Sequence, residues 1–133
     1  VGVREEPAND LVAPFLKATH SGLPWISLKW AMSLDGKIAA HTGDSKWITS
    51  PEARESARRL RAQFGAIVVG AGTALRDDPS LTSADPSAFT PLRVVVDSAA
   101  RLPLESNLAR TARAHAVLVA VAPGAAADRV AAL

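Results

Sequence analysis

A three-layer α/β fold on a mostly parallel sheet is predicted by three observations. First, the chain holds three short apolar runs, AIVVG at Ala66–Gly70, LRVVVD at residues 92–97 and HAVLVAVAP at residues 115–123. Continuous β-branched runs of this kind suit strands buried on both faces of a parallel sheet. Second, a strong helix signal, TSPEARESARRLRAQF, precedes the first of them. Third, polar residues follow the strand ends, where an open α/β sheet builds its ligand crevice, so that widely separated segments can line one site.

Taken in order, residues 1–23 are mixed and polar, with Leu11, Val12, Phe15 and Leu16 at helical spacing before HSGLP. They predict a connecting helix ended by a turn. Residues 25–32 alternate and then run apolar, as a half-buried first strand does, and Asp35-Gly36 predicts a tight turn into a second short run, residues 37–40. The helix that follows has Thr49 and Glu52 in capping-box spacing, Ser50 as an alternative cap and Pro51 near its start. Its residues Ala53, Ala57, Leu60 and Phe64 form one stripe, expected against the sheet. Arg54, Arg58 and Arg61 form the neighbouring stripe, and Glu55 stands four residues before Arg59. After the AIVVG run, Gly70 to Thr73 open another helix, and the tail GAAADRVAAL starts a last one.

With 133 residues the chain fits one domain, able to bury roughly two-thirds of its unfolded surface. Hydrophobic content of 48% argues against disorder, and 5% aromatics leave the packing to Val, Leu, Ile and Ala. The absence of cysteine excludes disulfides, thiolate catalysis and cysteine zinc sites. His20, His41 and His115 lack metal-ligand spacing, so no metal is expected. The net charge of +2 and pI near 9.5 suit an anionic ligand. Nucleic acid is disfavoured, because acids interleave the bases and no recognition motif is present. No apolar run is long enough to span a bilayer, and neither a charged n-region nor an apolar h-region of a signal peptide is visible. A cytoplasmic protein that begins inside a longer chain is the expectation.

Several residues are candidates for chemistry. The loops after the first expected strand allow close backbone approach; Ser45 can donate to a phosphate or hydroxyl, and Trp47 offers a flat face to a ring. A hairpin with a packed Trp is the plain alternative. Lys29, inside an apolar segment, either engages a substrate oxygen or snorkels from a sheet face, with Asp35 as a partner. Gly70-Ala71-Gly72-Thr73 matches a dinucleotide loop only weakly, since Leu75 stands where a third glycine belongs. What survives is a helix start with free N–H groups and the Thr73 hydroxyl. Asp77 and Asp78, before Pro79, suit hydrogen bonding better than acid-base catalysis. Arg61 is expected to turn inward to a phosphate, with Arg54, Arg58 and Arg59 solvated.

As an ordered set, LKWAMSLDGKIA, SKWIT with the helix after it, LRA, VGAGTALRDDPSLT and VVVDS resemble a known family. It is the reductase domain of bacterial riboflavin biosynthesis, 5-amino-6-(5-phosphoribosylamino)uracil reductase, of dihydrofolate-reductase-like fold. The resemblance runs over residues 24–98. It implies NADP(H) contacts at Ala31, Trp47, Thr73, Asp77 and Ser98, and contacts to a phosphorylated pyrimidine-ribose substrate at Ser45, Arg61 and Leu81. It also implies reduction of the ribosyl group to a ribityl chain by NADPH. From the residues themselves, Lys29 and Asp35 are the catalytic candidates. Lys29 would meet the ribose ring oxygen, where ring opening needs charge stabilisation. A homo-oligomer, such as a dimer, is expected. Residues 1–23 would join a preceding deaminase-like domain, and residues 24–133 would be the N-terminal portion of the reductase domain.

Two departures from the family pattern stand out. Ala84 occupies the place of a substrate-binding arginine, for which Arg76 or Arg93 is a candidate replacement, and the later glycine segment that completes the cofactor pocket is not in this sequence. They leave two other readings open: a related reductase acting on a pterin or other heterocycle, and an inactive fragment serving as an interaction or assembly module. On the leading reading the chain by itself is expected to be a poor enzyme.

Overall fold

The computed structural model describes residues 3–85, 87 and 89–133; Val1 and Gly2, where the expected connecting segment starts, lie outside the described residues. The chain divides into two compact units, Val1–Ile48 and Thr49–Leu133.

In the first unit α1 (Glu5–Ser21) is the helix expected in this segment. Glu5 and Glu6 occupy its first turn and Gly22 ends it in the left-handed conformation (φ 66°), donating its N–H to the Ala18 carbonyl at 2.9 Å. Glycine takes this position without the steric cost that a Cβ brings. No residue of α1 is buried; Leu11 and Phe15 are 82% and 68% exposed. The strand expected at residues 25–32 is absent, as is the one at residues 37–40. Residues 25–30 are exposed throughout, and their alternation finds no partner strand to convert it into a ladder. The Asp35-Gly36 turn is present: Gly36 (φ 78°) donates to the Ser33 carbonyl, and Ser33 donates its N–H to the Lys37 carbonyl, both at 2.9 Å.

The second unit opens with α2 (Pro51–Leu60), continued by a 3-10 turn at Arg61–Gln63. Of the two candidate caps the structure uses Ser50, whose hydroxyl accepts the Ala53 N–H at 3.2 Å, with Pro51 in the first turn where its missing N–H costs nothing. The expected apolar stripe is not buried: α2 has no buried residue, and Leu60 is 48% exposed. Three all-parallel strands follow the sequence expectation closely, β1 (Ala66–Gly70), β2 (Leu92–Val96) and β3 (Val117–Ala120), in the order β1-β2-β3. Between them lie α3 (Ala71–Asp77) and α4 (Asn107–Arg110), and α5 (Ala127–Ala132) closes the chain. Helix α4 was not foreseen; its signal is Ser106, which caps the helix by accepting the Ala109 N–H at 3.3 Å.

Register explains where the core sits. Ile67, Arg93 and Val117 are partners across the sheet, as are Val69, Val95 and Val119, so these residues share one face. That face meets Ala74, Leu81, Leu102 and Leu108, with Val95 and Leu108 fully buried. The other face is open: Val68, Val96 and Leu118 are 60%, 52% and 46% exposed. The β-branched runs are apolar enough for two covered faces. Among the described residues, only one face is packed into a core.

Truncating Leu108 to alanine removes a fully buried side chain and should cost about 2–5 kcal/mol. Leu60→Ala, on the exposed side of α2, should stay within about 0.5 kcal/mol. Urea denaturation of the two variants checks the difference; equal losses would place the core elsewhere.

Candidate functional site

Parallel strands deliver their C-terminal ends to one edge. Gly70 of β1 is paired with Val96 of β2, so the start of α3 and the segment after Val96 meet at that edge. Thr73, in the first turn of α3, and Ser98, two residues past β2, are both exposed there. These are two of the cofactor candidates, brought to one end of the sheet as an open α/β crevice requires.

Asp97, between Val96 and Ser98, serves the frame. Its carboxylate is buried and accepts the N–H groups of Arg101 and Leu102 (2.8 Å for the latter) and the Arg101 Nε–H at 3.2 Å. Burial works to raise its pKa, but these hydrogen bonds and the Arg101 charge outweigh it and hold the carboxyl below its ordinary value. The loop so gathered contains Ala100 in the left-handed region (φ 51°), a conformation that a residue with a Cβ adopts only when its surroundings compel it.

At the far end of α3, Asp77 and Asp78 have different roles. Asp78 ends the helix in the left-handed conformation (φ 41°) and grips Asn107 three times: its carboxylate accepts the Asn107 backbone N–H and side-chain amide, both at 2.8 Å, and its carbonyl accepts the amide at 3.0 Å. Asp78 has the hydrogen-bonding role expected of it, and it ties α3 to α4. Asp77 is exposed beside it.

The substrate candidates Arg61 and Leu81 come together. Arg61, half-buried as expected, donates from Nη1 to the Thr82 carbonyl at 2.9 Å. Burial, and then the neighbouring Arg58 charge, press its pKa below the usual guanidinium value. Leu81 has φ 56°, and its side chain belongs to the core cluster. A ligand contact at this position therefore comes from its backbone. Among the arginines expected to be solvated, Arg54 is half-buried and donates to the Thr49 carbonyl. Arg58 and Arg59 share the Glu55 carboxylate, Arg59 at 3.3 Å, which lowers the Glu55 pKa, chiefly through the Arg58 hydrogen bond.

Ala84 lines a depression of about 400 Å³ together with Glu55, Arg59, Ala62, Ser83 and Asp85. Arg93, a candidate to replace the missing arginine, is not available to a ligand. It is fully buried and donates to the Ser80, Leu108 and His115 carbonyls and to the Thr111 hydroxyl.

The remaining candidates lie in the first unit. Lys29 is exposed and lies in no strand, so the snorkelling-from-a-sheet reading fails. Asp35 accepts the Ser33 hydroxyl at 2.5 Å and makes no ion pair with Lys29. Ala31 and Ser45 are half-buried, and Trp47 is 69% exposed. Among the described residues no group of three or more His, Cys, Asp or Glu is placed to hold a metal ion, and no helix is long and apolar enough to cross a membrane.

The model of the RibD C-terminal domain family matches residues 24–131. The chain belongs to that family. Among RibD relatives, the riboflavin biosynthesis protein RibD of Aquifex aeolicus is 41% identical over 120 residues, covering 90% of this chain and 34% of that protein. The Bacillus amyloliquefaciens RibD is 45% identical over 108 residues, covering 80% and 29%. A solved Thermotoga maritima structure is described as a diaminohydroxyphosphoribosylaminopyrimidine deaminase/5-amino-6-(5-phosphoribosylamino)uracil reductase. It superposes with a TM-score of 0.78 at 36% identity, over 93% of this chain and 35% of that one. Acinetobacter baumannii RibD gives 0.76 at 36% identity, over 90% and 35%. The chain thus spans about a third of the length of these RibD relatives, and its fold is that of their RibD domains.

Asp97 gives this edge a pH dependence. Because its folded pKa is depressed, its stabilisation is complete above the unfolded carboxylate value, near 3.9, and is lost as pH falls through the folded value. Asp97→Asn should lose about 2–3 kcal/mol at neutral pH and show a flatter stability profile below about pH 5. Urea midpoints collected from neutral to acid pH check this, and parallel profiles for the two proteins would assign the acid sensitivity to another group.

Proposed function

We propose that this chain takes part in the NADPH-dependent reduction of the ribosyl group of 5-amino-6-(5-phosphoribosylamino)uracil to the ribityl product, a step of riboflavin synthesis. The observation that carries the reading is the division of labour in the second unit. Thr73 and Ser98 both stand, exposed, at the C-terminal edge of the parallel sheet, and the Arg61 guanidinium is turned inward at Thr82. Family membership and the similarity to proteins named for this pathway support the same activity.

The groups present fit a dinucleotide. The exposed Thr73 hydroxyl and the first-turn N–H groups of α3 are donors for an anionic or hydroxylated ligand, and Ser98 adds a third group at the same edge. On the family resemblance, Trp47, 69% exposed, Ala31 and Asp77 are the further cofactor candidates. When bound, NADPH supplies the hydride that the sugar carbon accepts. The residues orient the reactants and stabilise charge. Arg61 meets the phosphoribosyl end as a planar multi-donor cation. The backbone at Leu81 and the Ser45 hydroxyl are further substrate contacts. Lys29 would steady negative charge on the ribose ring oxygen, with Asp35 held by Ser33 in the same unit. A cytoplasmic homo-oligomer accords with this reading, since the open apolar face of the sheet favours association.

Ala84 favours a second reading. An alanine where the family pattern has a cation suits a related reductase whose heterocycle carries no phosphate. Activity on unphosphorylated pterins alone, in a substrate panel followed by NADPH oxidation, would select it.

Replacing Trp47 by alanine should weaken NADPH binding by about 1–3 kcal/mol, through loss of buried ring area. Unchanged affinity in a fluorescence titration of the folded variant would remove Trp47 from the cofactor site. Arg61→Ala should raise the KM for the phosphorylated substrate far more than that for NADPH, whereas Arg58→Ala should leave both near the parent values. Steady-state kinetics separate these outcomes, and equal effects of the two substitutions would deny Arg61 a special role.

A further inference from the structure

Leu81 combines two features that rarely coincide. It is a branched residue in the left-handed region of backbone space (φ 56°) and it is 4% exposed. A left-handed conformation is unfavourable for a residue with a Cβ and persists only where its surroundings impose it. Two guanidinium groups do so. Arg61 Nη1 donates to the carbonyl that follows Leu81, that of Thr82, at 2.9 Å. Arg93 Nη1 donates to the carbonyl that precedes it, that of Ser80, at 3.1 Å. One arginine comes from the turn after α2 and the other from the central strand. Between them they hold the peptide unit that leads into Leu81 and the one that follows Thr82.

Arg93 is the anchored member. The same Nη1 donates to the Thr111 hydroxyl at 2.8 Å, and Nη2 donates to the Leu108 carbonyl at 3.4 Å and to the His115 carbonyl. No carboxylate is among these partners, so backbone dipoles carry much of the desolvated charge, and moving it would take this donor from the Ser80, Leu108 and His115 carbonyls. Arg61 is only half-buried and keeps donors beyond the one it gives to Thr82. One arginine holds the turn from the buried side while the other holds it from the half-exposed side.

We propose that Arg93 is a positioning residue for the substrate site: by holding Ser80 it sets the Leu81 turn, which places the Thr82 carbonyl that aims the Arg61 guanidinium at an anionic sugar ligand. The proposal rests on the reading that Arg61 meets the substrate phosphate. Arg93 itself touches no ligand, and Lys cannot replace it, because an ammonium cannot span the same divergent acceptors as a planar fork.

The test compares the parent chain with Arg93→Lys, Thr111→Val and, as a surface control, Arg113→Ala. Ribose 5-phosphate and NADPH are titrated separately, and amide hydrogen exchange is followed at residues 81–85. Arg93→Lys should speed exchange there about tenfold and weaken ribose 5-phosphate binding at least tenfold, with NADPH affinity changed less than twofold. Thr111→Val removes one anchor and keeps the guanidinium, so it should shift both turn readouts in the same direction by two- to fivefold, even if Arg93→Lys fails to fold. Arg113→Ala should change neither. A folded variant that melts earlier but keeps parental exchange at the turn and parental ribose 5-phosphate affinity would overturn the proposal, leaving Arg93 a role in stability alone. Parent protein that binds no ribose 5-phosphate would instead overturn the substrate reading on which it rests.

Discussion

Burying a guanidinium in a small sheet without a carboxylate obliges the chain to bring it oxygen from elsewhere, and much of the second unit is arranged to do so. Arg93 occupies the central strand at the register position between Ile67 and Val117, where an aliphatic side chain would be the ordinary choice. In its place it draws in the carbonyls of Ser80, Leu108 and His115 and the hydroxyl of Thr111. Those acceptors belong to the segment after α3, to α4 and to the entry into β3. One side chain thereby links the elements that surround β2. The apolar cluster of Ala74, Leu81, Val95, Leu102 and Leu108 closes over the same face.

Two smaller polar clamps extend this logic. Asp78 binds Asn107 through three hydrogen bonds and joins the end of α3 to the start of α4. Asp97 gathers the Arg101 and Leu102 amides and shapes the loop past β2. Each clamp places a non-glycine residue in the left-handed region, Asp78 in its own case and Ala100 in the other. Satisfied hydrogen bonds to a charged group offset the local cost of such a conformation. The exposed cofactor candidates, Thr73 and Ser98, are not consumed by these braces. A rigid scaffold with exposed polar groups at its rim is the arrangement that ligand binding by an open α/β sheet requires.

The open face of the sheet marks a different kind of constraint. Val68, Val96 and Leu118 are apolar and exposed, and α2, the helix whose stripe was expected on the sheet, buries nothing. Its Ser50 cap, Pro51 and Glu55 ion pairs account for its helicity locally. Helix formation and helix docking are thus separate events in this chain, the first set by short-range capping and the second by whether apolar faces find each other.

Sequence by itself determined the parallel α/β class, the location of the three strands, the helices α1, α2, α3 and α5, the Asp35-Gly36 turn and the family. All of these depend on interactions within a few residues or on ordered motifs, which are written in the local pattern. It also signalled that Arg61, beside the apolar stripe, turns inward. Only the tertiary structure decided the rest. Residues 25–32 have a strand's alternation but no partner, and a strand exists only through its neighbour's hydrogen bonds. Leu81 passes for an ordinary core leucine until its φ is known. Arg93 passes for a spare phosphate ligand until its four acceptors, 13 to 22 residues away in sequence, are seen to close around it. Burial and long-range hydrogen bonding decide whether an arginine meets a ligand or the protein's own backbone, and neither is encoded at the residue itself.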